Sequence, residues 1–331
     1  MMMSILLALL CSLLLLLHAY REYWRLRDLP QIHFGEFSGE LMKVGSTYIA
    51  RRPANNGSKR SIICFPGFLE DMRYYQDVYK DEDAELILLN NANYHCPFLE
   101  ESVKEGAASD VIELDWPVNP YVIGTIEHDG FYLGLALERL ASGHEVRMHG
   151  HSRGGAVVLE TGRQYPDLTS LKQRPVSAIL ETPVLPQART AGKAPGTITH
   201  RINCYFLPIF FGLNRNISTE RLLDMSIMKP ANEMKVRICL SIFSVSRRYD
   251  TCIKNVQSIV HWQRTTGFEV YDNFSSLTVV MGECDTTLDG ASMLASAEQG
   301  QARNSGLSIL KTTDTNHFIS LEQPDTIRAV R

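Results

Sequence analysis

The sequence predicts an α/β fold, with a mostly parallel central sheet flanked by helices, an inserted helical cap and an N-terminal membrane helix. Short apolar segments typical of strands alternate with segments typical of helices along most of the 331 residues. The glycine-flanked serine of Gly150-His151-Ser152-Arg153-Gly154 lies between one such strand and one such helix. Residues 1–17 carry no charge and are rich in leucine. These three observations lead to the predicted fold class.

The N-terminal segment is long enough to cross a bilayer. Extended to Tyr20, it makes about 30 Å of helix. An aromatic belt and three arginines follow it: Tyr20, Tyr23 and Trp24, then Arg21, Arg25 and Arg27. We expect residues 1–20 to anchor the protein and the rest of the chain to be cytoplasmic. A secretory signal peptide, giving a secreted or periplasmic protein, is the alternative. The uncharged start and the poor cleavage site favour the anchor.

Strand and helix patterns alternate after the anchor. Residues 21–45 are expected to form a juxtamembrane segment and a first edge strand at 32–37, and residues 46–185 and 274–331 the core. Further strands are predicted at 46–51, 61–65, 86–89, 145–149, 176–180, 277–281 and 307–310. Helices are predicted at 74–79 and 125–141, after Gly154, and from about 321. Because ligands bind at the carboxyl ends of parallel strands, polar residues that follow the strands are the candidate site.

The alternation stops between residues 186 and 273, which we interpret as a cap inserted into the core. This stretch contains an apolar run at 205–213 that is too short to span a bilayer and is interrupted by Pro208. Phe206, Phe210 and Phe211 in this run either line an apolar substrate pocket or hold the cap on the core. The sequence leaves these two roles open.

The segment around Ser152 is typical of a nucleophile elbow. In such an elbow a sharp turn between strand and helix leaves room only for small residues two positions on either side of the serine. Gly150 and Gly154 meet that requirement. A Gly-rich turn with a solvated serine would show the same short pattern, so the motif needs partners elsewhere in the chain.

Two later segments supply such partners. Asp285 follows the predicted strand at 277–281, and His317 follows the strand at 307–310. The order Ser152, Asp285, His317 resembles that of the α/β-hydrolase family, over roughly residues 45–331. The resemblance implies that Ser152 is the nucleophile, His317 the general base and acid, and Asp285 the residue that orients His317.

Other carboxylates could replace Asp285 as the orienting acid. Asp289 lies four residues further on, Glu181 ends an earlier predicted strand, and Asp314 is close to His317 in sequence. Asp285 is favoured because it follows directly on the end of its strand.

An acyl-transfer site of this kind also needs an oxyanion hole of backbone N–H groups. The N–H of Arg153 at the start of the helix is one expected donor. The N–H of Phe68, in the loop after the strand at 61–65, is the other. The family often has His-Gly in this loop, and Pro66-Gly67 here departs from it. For the side chain of Arg153, exposure to solvent is the simplest expectation. Pairing with Glu70 or Asp71, or with an acidic group of the substrate, is the alternative.

Composition excludes several other functions. The net charge of −4 gives no reason to expect a nucleic-acid partner. Seven scattered cysteines are more typical of reduced thiols than of a disulfide framework. No C-x-x-C or H-E-x-x-H spacing indicates a metal, and no G-x-G-x-x-G follows a strand, so no cofactor is expected. The oligomeric state is left open.

The resemblance therefore implies a membrane-anchored serine hydrolase that cleaves carboxylic esters with an apolar acyl group through an acyl-enzyme. A thioesterase or acyltransferase with the same three residues is the first alternative. A non-catalytic scaffold that has kept the fold is the second.

Overall fold

A computed structural model describes residues 2–27, 35–55, 57, 59–99, 111–170, 174–190, 197–245 and 249–330. Within these residues a nine-stranded sheet forms the centre of the molecule. Its strands are β1 (Glu40–Val44), β2 (Thr47–Arg52), β3 (Arg60–Phe65), β4 (Glu85–Leu89), β5 (Val111–Glu113), β6 (Glu145–His151), β7 (Val176–Glu181), β8 (Ser276–Gly282) and β9 (Leu307–Thr312).

The strand order is β5-β1-β2-β4-β3-β6-β7-β8-β9. β4, β3 and β6 to β9 are parallel, whereas β2 is antiparallel to both β1 and β4. This arrangement confirms the predicted mostly parallel sheet. It also brings the carboxyl ends of β3, β6, β8 and β9 to one edge, where the loops of the candidate site lie.

The helices are α1 (Met2–Leu26), α2 (Arg73–Gln76), α3 (Ile126–Arg139), α4 (Arg153–Gln164), α5 (Pro166–Thr169), α6 (Ile198–Asn214), α7 (Thr219–Leu223), α8 (Glu233–Val245), α9 (Tyr249–Thr265), α10 (Gly290–Arg303), α11 (Ile319–Glu322) and α12 (Pro324–Ala329). Short 3₁₀ helices occupy Ser226–Met228 and Phe268–Asn273. Four helices and both 3₁₀ helices thus lie between β7 and β8, where the sequence predicts the cap.

Both faces of the sheet are covered, as a parallel sheet requires. Ile63 and Phe65 of β3 belong to a core with α3, α4 and α10. Ile62 and Cys64 point to the opposite face, into a core with α2, α11, α12 and part of the insertion. The described structure contains seven free cysteines, five of them buried, as the sequence predicts.

The edge of the sheet differs from the prediction. Residues 32–34 of the strand predicted at 32–37 lie outside the described residues, and 35–37 form no strand. The edge is instead made by β1 and β5, which pair with each other in parallel. β5 is only three residues long, too short for a periodic signal. The helix predicted at 74–79 is limited to Arg73–Gln76.

α1 is the single helix in the described part of the chain that is long and apolar enough to cross a membrane. Its residues up to Leu16 are all exposed, and its last two turns pack on the insertion.

Candidate active site

Ser152 lies between the end of β6 and the start of α4, in a strained conformation with φ 51° and ψ −115°. A Cβ added to Gly150 would come within 2.3 Å of the carbonyl oxygen of Gly154. A Cβ added to Gly154 would come within 2.0 Å of the carbonyl oxygen of Phe65. Both positions therefore require glycine, and the turn has the geometry of a nucleophile elbow.

Asp285 and His317 meet above the ends of β8 and β9. The Oδ2 atom of Asp285 lies 2.9 Å from Nδ1 of His317, and its Oδ1 accepts hydrogen bonds from the amides of Thr287 (2.7 Å) and Leu288 (3.1 Å). Burial favours the protonated carboxyl, but the neighbouring His317 and these amides lower the pKa of Asp285 below its usual value. Asp285 is thus held as a carboxylate that fixes the orientation of the His317 ring.

Ser152 and His317 line one cavity of about 180 Å³. Because Nδ1 of His317 is bound to Asp285, Nε2 is the ring nitrogen left for Ser152. The structure records no hydrogen bond between the Ser152 hydroxyl and this ring, although both residues are described. Catalytic hydrogen bonds are often long before substrate binds and shorten in the complex.

The other candidate acids lie elsewhere. Asp289 caps α10 by accepting a hydrogen bond from the amide of Ser292 at 2.8 Å. Asp314 is exposed and turned away in a loop with φ 55°. Glu181 is fully buried and bonded to His149 and Ser320. Among the four carboxylates considered, Asp285 is the one that contacts the His317 ring.

The loop after β3 brings the amide of Phe68 to the same cavity. Phe68 and Ser152 both line it, and the Phe68 N–H has no acceptor among the described residues. Glu70 stabilises this loop, because its carboxylate accepts a hydrogen bond from the amide of Gly67 at 2.8 Å. Asn91 donates to the carbonyls of Gly67 (2.9 Å) and Glu70 (3.1 Å). The loop is therefore preorganised before any ligand binds.

No family model matches the sequence, and no curated protein is similar to it. Solved structures do match. A carboxylesterase of the thaumarchaeon Nitrososphaera gargenis aligns at TM-score 0.57 and 11% identity, over 90% of this chain and 95% of its own. A thermophilic esterase of Thermogutta terrifontis aligns at TM-score 0.53 and 15% identity, over 91% and 95%. The chain has the α/β-hydrolase fold.

That fold accommodates more than one chemistry. A bromoperoxidase of Bacillus anthracis aligns at TM-score 0.54 and 13% identity, over 85% of this chain and 92% of its own. The activity of this α/β-hydrolase-fold protein therefore has to be argued from its own site. Within the described residues no cluster of three or more His, Cys, Asp or Glu side chains could hold a metal ion.

The side chain of Arg153 is neither solvated nor paired with Glu70 or Asp71, so these two expectations for it are wrong. It is fully buried, with Nη1 2.7 Å from Oδ2 of Asp129 and 2.9 Å from Oδ1 of Asn91. Burial favours a neutral Asp129, but Arg153 lowers the pKa of this carboxyl. Through Asn91 the elbow helix α4 is therefore tied to the loop that carries Phe68.

His151, next to Ser152, connects two loops of the site, and the sequence alone does not reveal this role. Its Nδ1 lies 2.7 Å from Oε2 of Glu70, and its Nε2 donates to the carbonyl of His317 at 2.8 Å. Thr182 donates to the same carbonyl, also at 2.8 Å. Burial lowers the pKa of His151, but the Glu70 carboxylate outweighs burial and raises it to about 9. His151 is thus a buried cation that joins the loop carrying Phe68 and Glu70 to the loop carrying His317.

His149, two residues earlier on β6, has the opposite character. Its Nε2 lies 2.9 Å from Oε2 of Glu181, and its Nδ1 is 2.8 Å from the Tyr79 hydroxyl. Burial lowers the pKa of His149, so this ring is neutral. Burial raises the pKa of Glu181, but the hydrogen bond from His149 and the charge of His151 bring it to about 2. Two histidines at alternate positions of an otherwise buried strand were the signal that could have revealed this polar layer.

The cavity wall is formed without the three phenylalanines that the sequence offered as candidates for it. The ten residues around Ser152 and His317 that form it are mainly apolar, and five of them come from the 219–240 part of the insertion: Phe68, Leu69, Glu70, Leu222, Met225, Ile227, Met228, Cys239, Thr287 and Phe318. Phe206, Phe210 and Phe211 are not among them. Phe210 is 49% exposed, and Phe211 is buried behind Phe68, with ring centroids 6.2 Å apart. The composition of α6 did not predict which of its sides faces the core, because apolar residues occur on several sides of the helix.

Proposed function

We propose that this protein is a serine hydrolase that cleaves carboxylic esters through an acyl-enzyme. The observation that carries the proposal is the position of His317. One ring nitrogen is fixed by the Asp285 carboxylate, and the ring lines the cavity that also exposes the strained Ser152. This is the nucleophile, base and orienting acid of serine hydrolases in their usual order on this fold.

The reaction follows from these positions. Ser152 Oγ attacks the ester carbonyl while Nε2 of His317 takes its proton, and Asp285 stabilises the resulting imidazolium. The carbonyl oxygen becomes an oxyanion, stabilised by the amides of Phe68 and Arg153. The C–O bond to the alcohol then breaks as His317 returns the proton to the leaving oxygen. A water molecule, deprotonated by His317, then attacks the carbonyl of the acyl-enzyme. The bond to Ser152 Oγ breaks, the serine regains its proton from His317, and the carboxylic acid is released.

The substrate class follows from the cavity wall. Leucine, methionine, isoleucine and phenylalanine side chains would stabilise an apolar acyl group, at about 0.8 kcal/mol for each methylene removed from water. We propose that the insertion at 186–273 acts as a cap over the core, since its 219–240 part supplies five of the residues that line the cavity.

A fluorophosphonate probe tests the proposal directly. The wild-type protein should be labelled and should hydrolyse p-nitrophenyl esters, whereas Ser152→Ala should lose both properties and keep its fold. Ser170→Ala, at an exposed serine, is the matched control and should behave as wild type. Labelling retained in Ser152→Ala would contradict the assignment of the nucleophile.

The same experiment separates the alternatives. A wild-type protein that takes no label would be a scaffold. A labelled protein that cleaves acyl thioesters but no oxygen ester would be a thioesterase, and the ester proposal would fail.

A further inference from the structure

α6 lies against the end of α1 in a defined register. Nδ1 of His18 is 2.6 Å from the hydroxyl of Tyr205, and the Trp24 ring covers Gly212 so closely that an added Cβ would come within 2.2 Å of it. Residue numbers increase together along both helices, so α1 and α6 run in the same direction. At a rise of about 1.5 Å per residue, Ile198 lies about 10 Å further toward the uncharged start of α1 than Tyr205 does.

α6 exposes an apolar stripe beside α1. Its 17 residues include no acidic side chain. Ile198, Ile202, Tyr205 and Leu213 follow the helical spacing of one face and are 79%, 50%, 39% and 65% exposed. Phe211 on the opposite face is buried. The helix therefore has one side packed on the protein and an apolar side on which Ile198, Ile202 and Leu213 are at least half exposed, while Tyr205 is partly covered by His18 and Arg21 of α1.

A collar of cations surrounds the junction of the two helices. Arg21 donates from Nε to the carbonyl of Tyr205 at 2.8 Å. Arg27 and Arg215 place their guanidinium groups 5.5 Å and 5.4 Å from the Trp24 ring. Tryptophan and arginine at the end of an apolar helix are typical of the level of lipid headgroups. The collar thus marks the level of the headgroups. Ile202 and Ile198 extend from there toward the apolar end of α1, whereas Leu213, next to the Gly212 that Trp24 covers, lies at the level of the collar.

We propose that α6 lies in the membrane interface beside α1, with its stripe in contact with the lipid bilayer. In this arrangement α1 crosses the membrane over residues 2–20, and its last two turns hold α6 against the headgroups. Because Phe211 of α6 packs on Phe68 at the cavity wall, the cavity lies directly behind this membrane-facing helix. If the proposed ester hydrolysis is correct, its substrates are therefore esters dissolved in the membrane.

The position of α6 can be measured without any assay of activity. In a Cys11→Ser, Cys284→Ser background, Ile202→Cys is labelled with the fluorophore NBD and the full chain is reconstituted into phosphatidylcholine–phosphatidylglycerol vesicles. Val118→Cys, at an apolar residue that is 92% exposed on a core loop, is the matched control. Emission from position 202 should shift to shorter wavelength and be quenched by lipids that carry a spin label near the carbonyl region. Emission from position 118 should show neither effect.

Equal emission and equal quenching at the two positions, in protein that floats with the vesicles, would overturn the proposal. Protein that does not float with the vesicles would overturn it as well.

A kinetic comparison tests the supply of substrate. Ile202→Asp with Leu213→Asp should lower kcat/KM at least tenfold for a long-chain ester presented in vesicles. Hydrolysis of water-soluble p-nitrophenyl acetate should be unchanged. An equal loss of kcat/KM for both esters, or no loss for either, would overturn the proposal that substrates reach the cavity from the bilayer. Absence of any ester hydrolysis by the wild-type protein would refute the proposed function and leave the fluorescence result standing.

Discussion

The buried charge on His151 stabilises the fold near neutral pH, and we expect this stabilisation to be lost at alkaline pH. Its two ring nitrogens face the Glu70 carboxylate and the His317 carbonyl, and acceptors at both require a proton on both. Other titratable groups also lie around the ring. Glu181 adds to the attraction for its charge, Tyr74 is stacked on it at 4.5 Å, the His317 ring lies edge-on at 4.9 Å, and the Tyr75 hydroxyl accepts from its backbone amide. Burial raises the pKa of Tyr74 well above its usual value, so this phenol stays neutral.

The magnitude follows from the pKa of His151. A rise from 6.5 to about 9 corresponds to about 3 kcal/mol of stability. Below pH 6.5 the ring is protonated in both the folded and the unfolded chain, so this contribution is fully present. As pH rises, the unfolded chain loses the proton first, and the contribution declines until it is gone above about pH 9.

The assay is urea unfolding of the full chain in detergent at intervals from pH 6 to pH 9.5. The free energy of unfolding of the wild type should fall by about 3 kcal/mol more than that of His151→Asn, which has no charge to lose. If both proteins showed the same dependence on pH, the ring would not be charged in the folded state and the reasoning would be refuted.

Three further outcomes are expected. Asp285→Asn should lower kcat on p-nitrophenyl esters by about 10⁴-fold, the size of the effect in the serine-protease triad. Asp289→Asn should leave kcat unchanged. The opposite result would assign the role of orienting acid to Asp289. Cys239→Phe should fill the cavity and remove the gain of about fourfold in kcat/KM for each added methylene. Phe210→Ala, off the cavity wall, should leave that gain intact in the same chain-length series. In acid, the unfolding free energy of the wild type should fall by about 3 kcal/mol more between pH 5 and pH 2 than that of Glu181→Gln, because the pKa of Glu181 is lowered to about 2 and its stabilisation is lost as it is protonated. An equal fall in the two proteins in the same acid titration would contradict this assignment.

The sequence predicted the parts of the fold that depend on local pattern. The strand at 277–281 and the strand at 61–65 are apolar on both faces and fall within β8 and β3. The positions of Ser152, Asp285 and His317 after strand ends also followed from chain order, because parallel strands bring their carboxyl ends together.

What the sequence could not predict depends on tertiary contacts. Nothing local shows that Arg153 meets Asp129, which precedes it by 24 positions, or that His151 reaches the carbonyl of His317. The orientation of α6 is another example. Its periodicity allows several faces to be buried, and the contact with Trp24 selects one of them.

Asn316 joins the 226–229 stretch to the loop that carries His317. Its side-chain amide donates to the carbonyls of Ser226 (2.9 Å) and Lys229 (3.1 Å), and its Oδ1 accepts from the amide of His317 (2.9 Å). Any displacement of this stretch would therefore strain or break hydrogen bonds that also hold the backbone of His317. Residues 226–229 and the His317 loop are thus expected to move as one unit, so that a displacement of either one reaches the other.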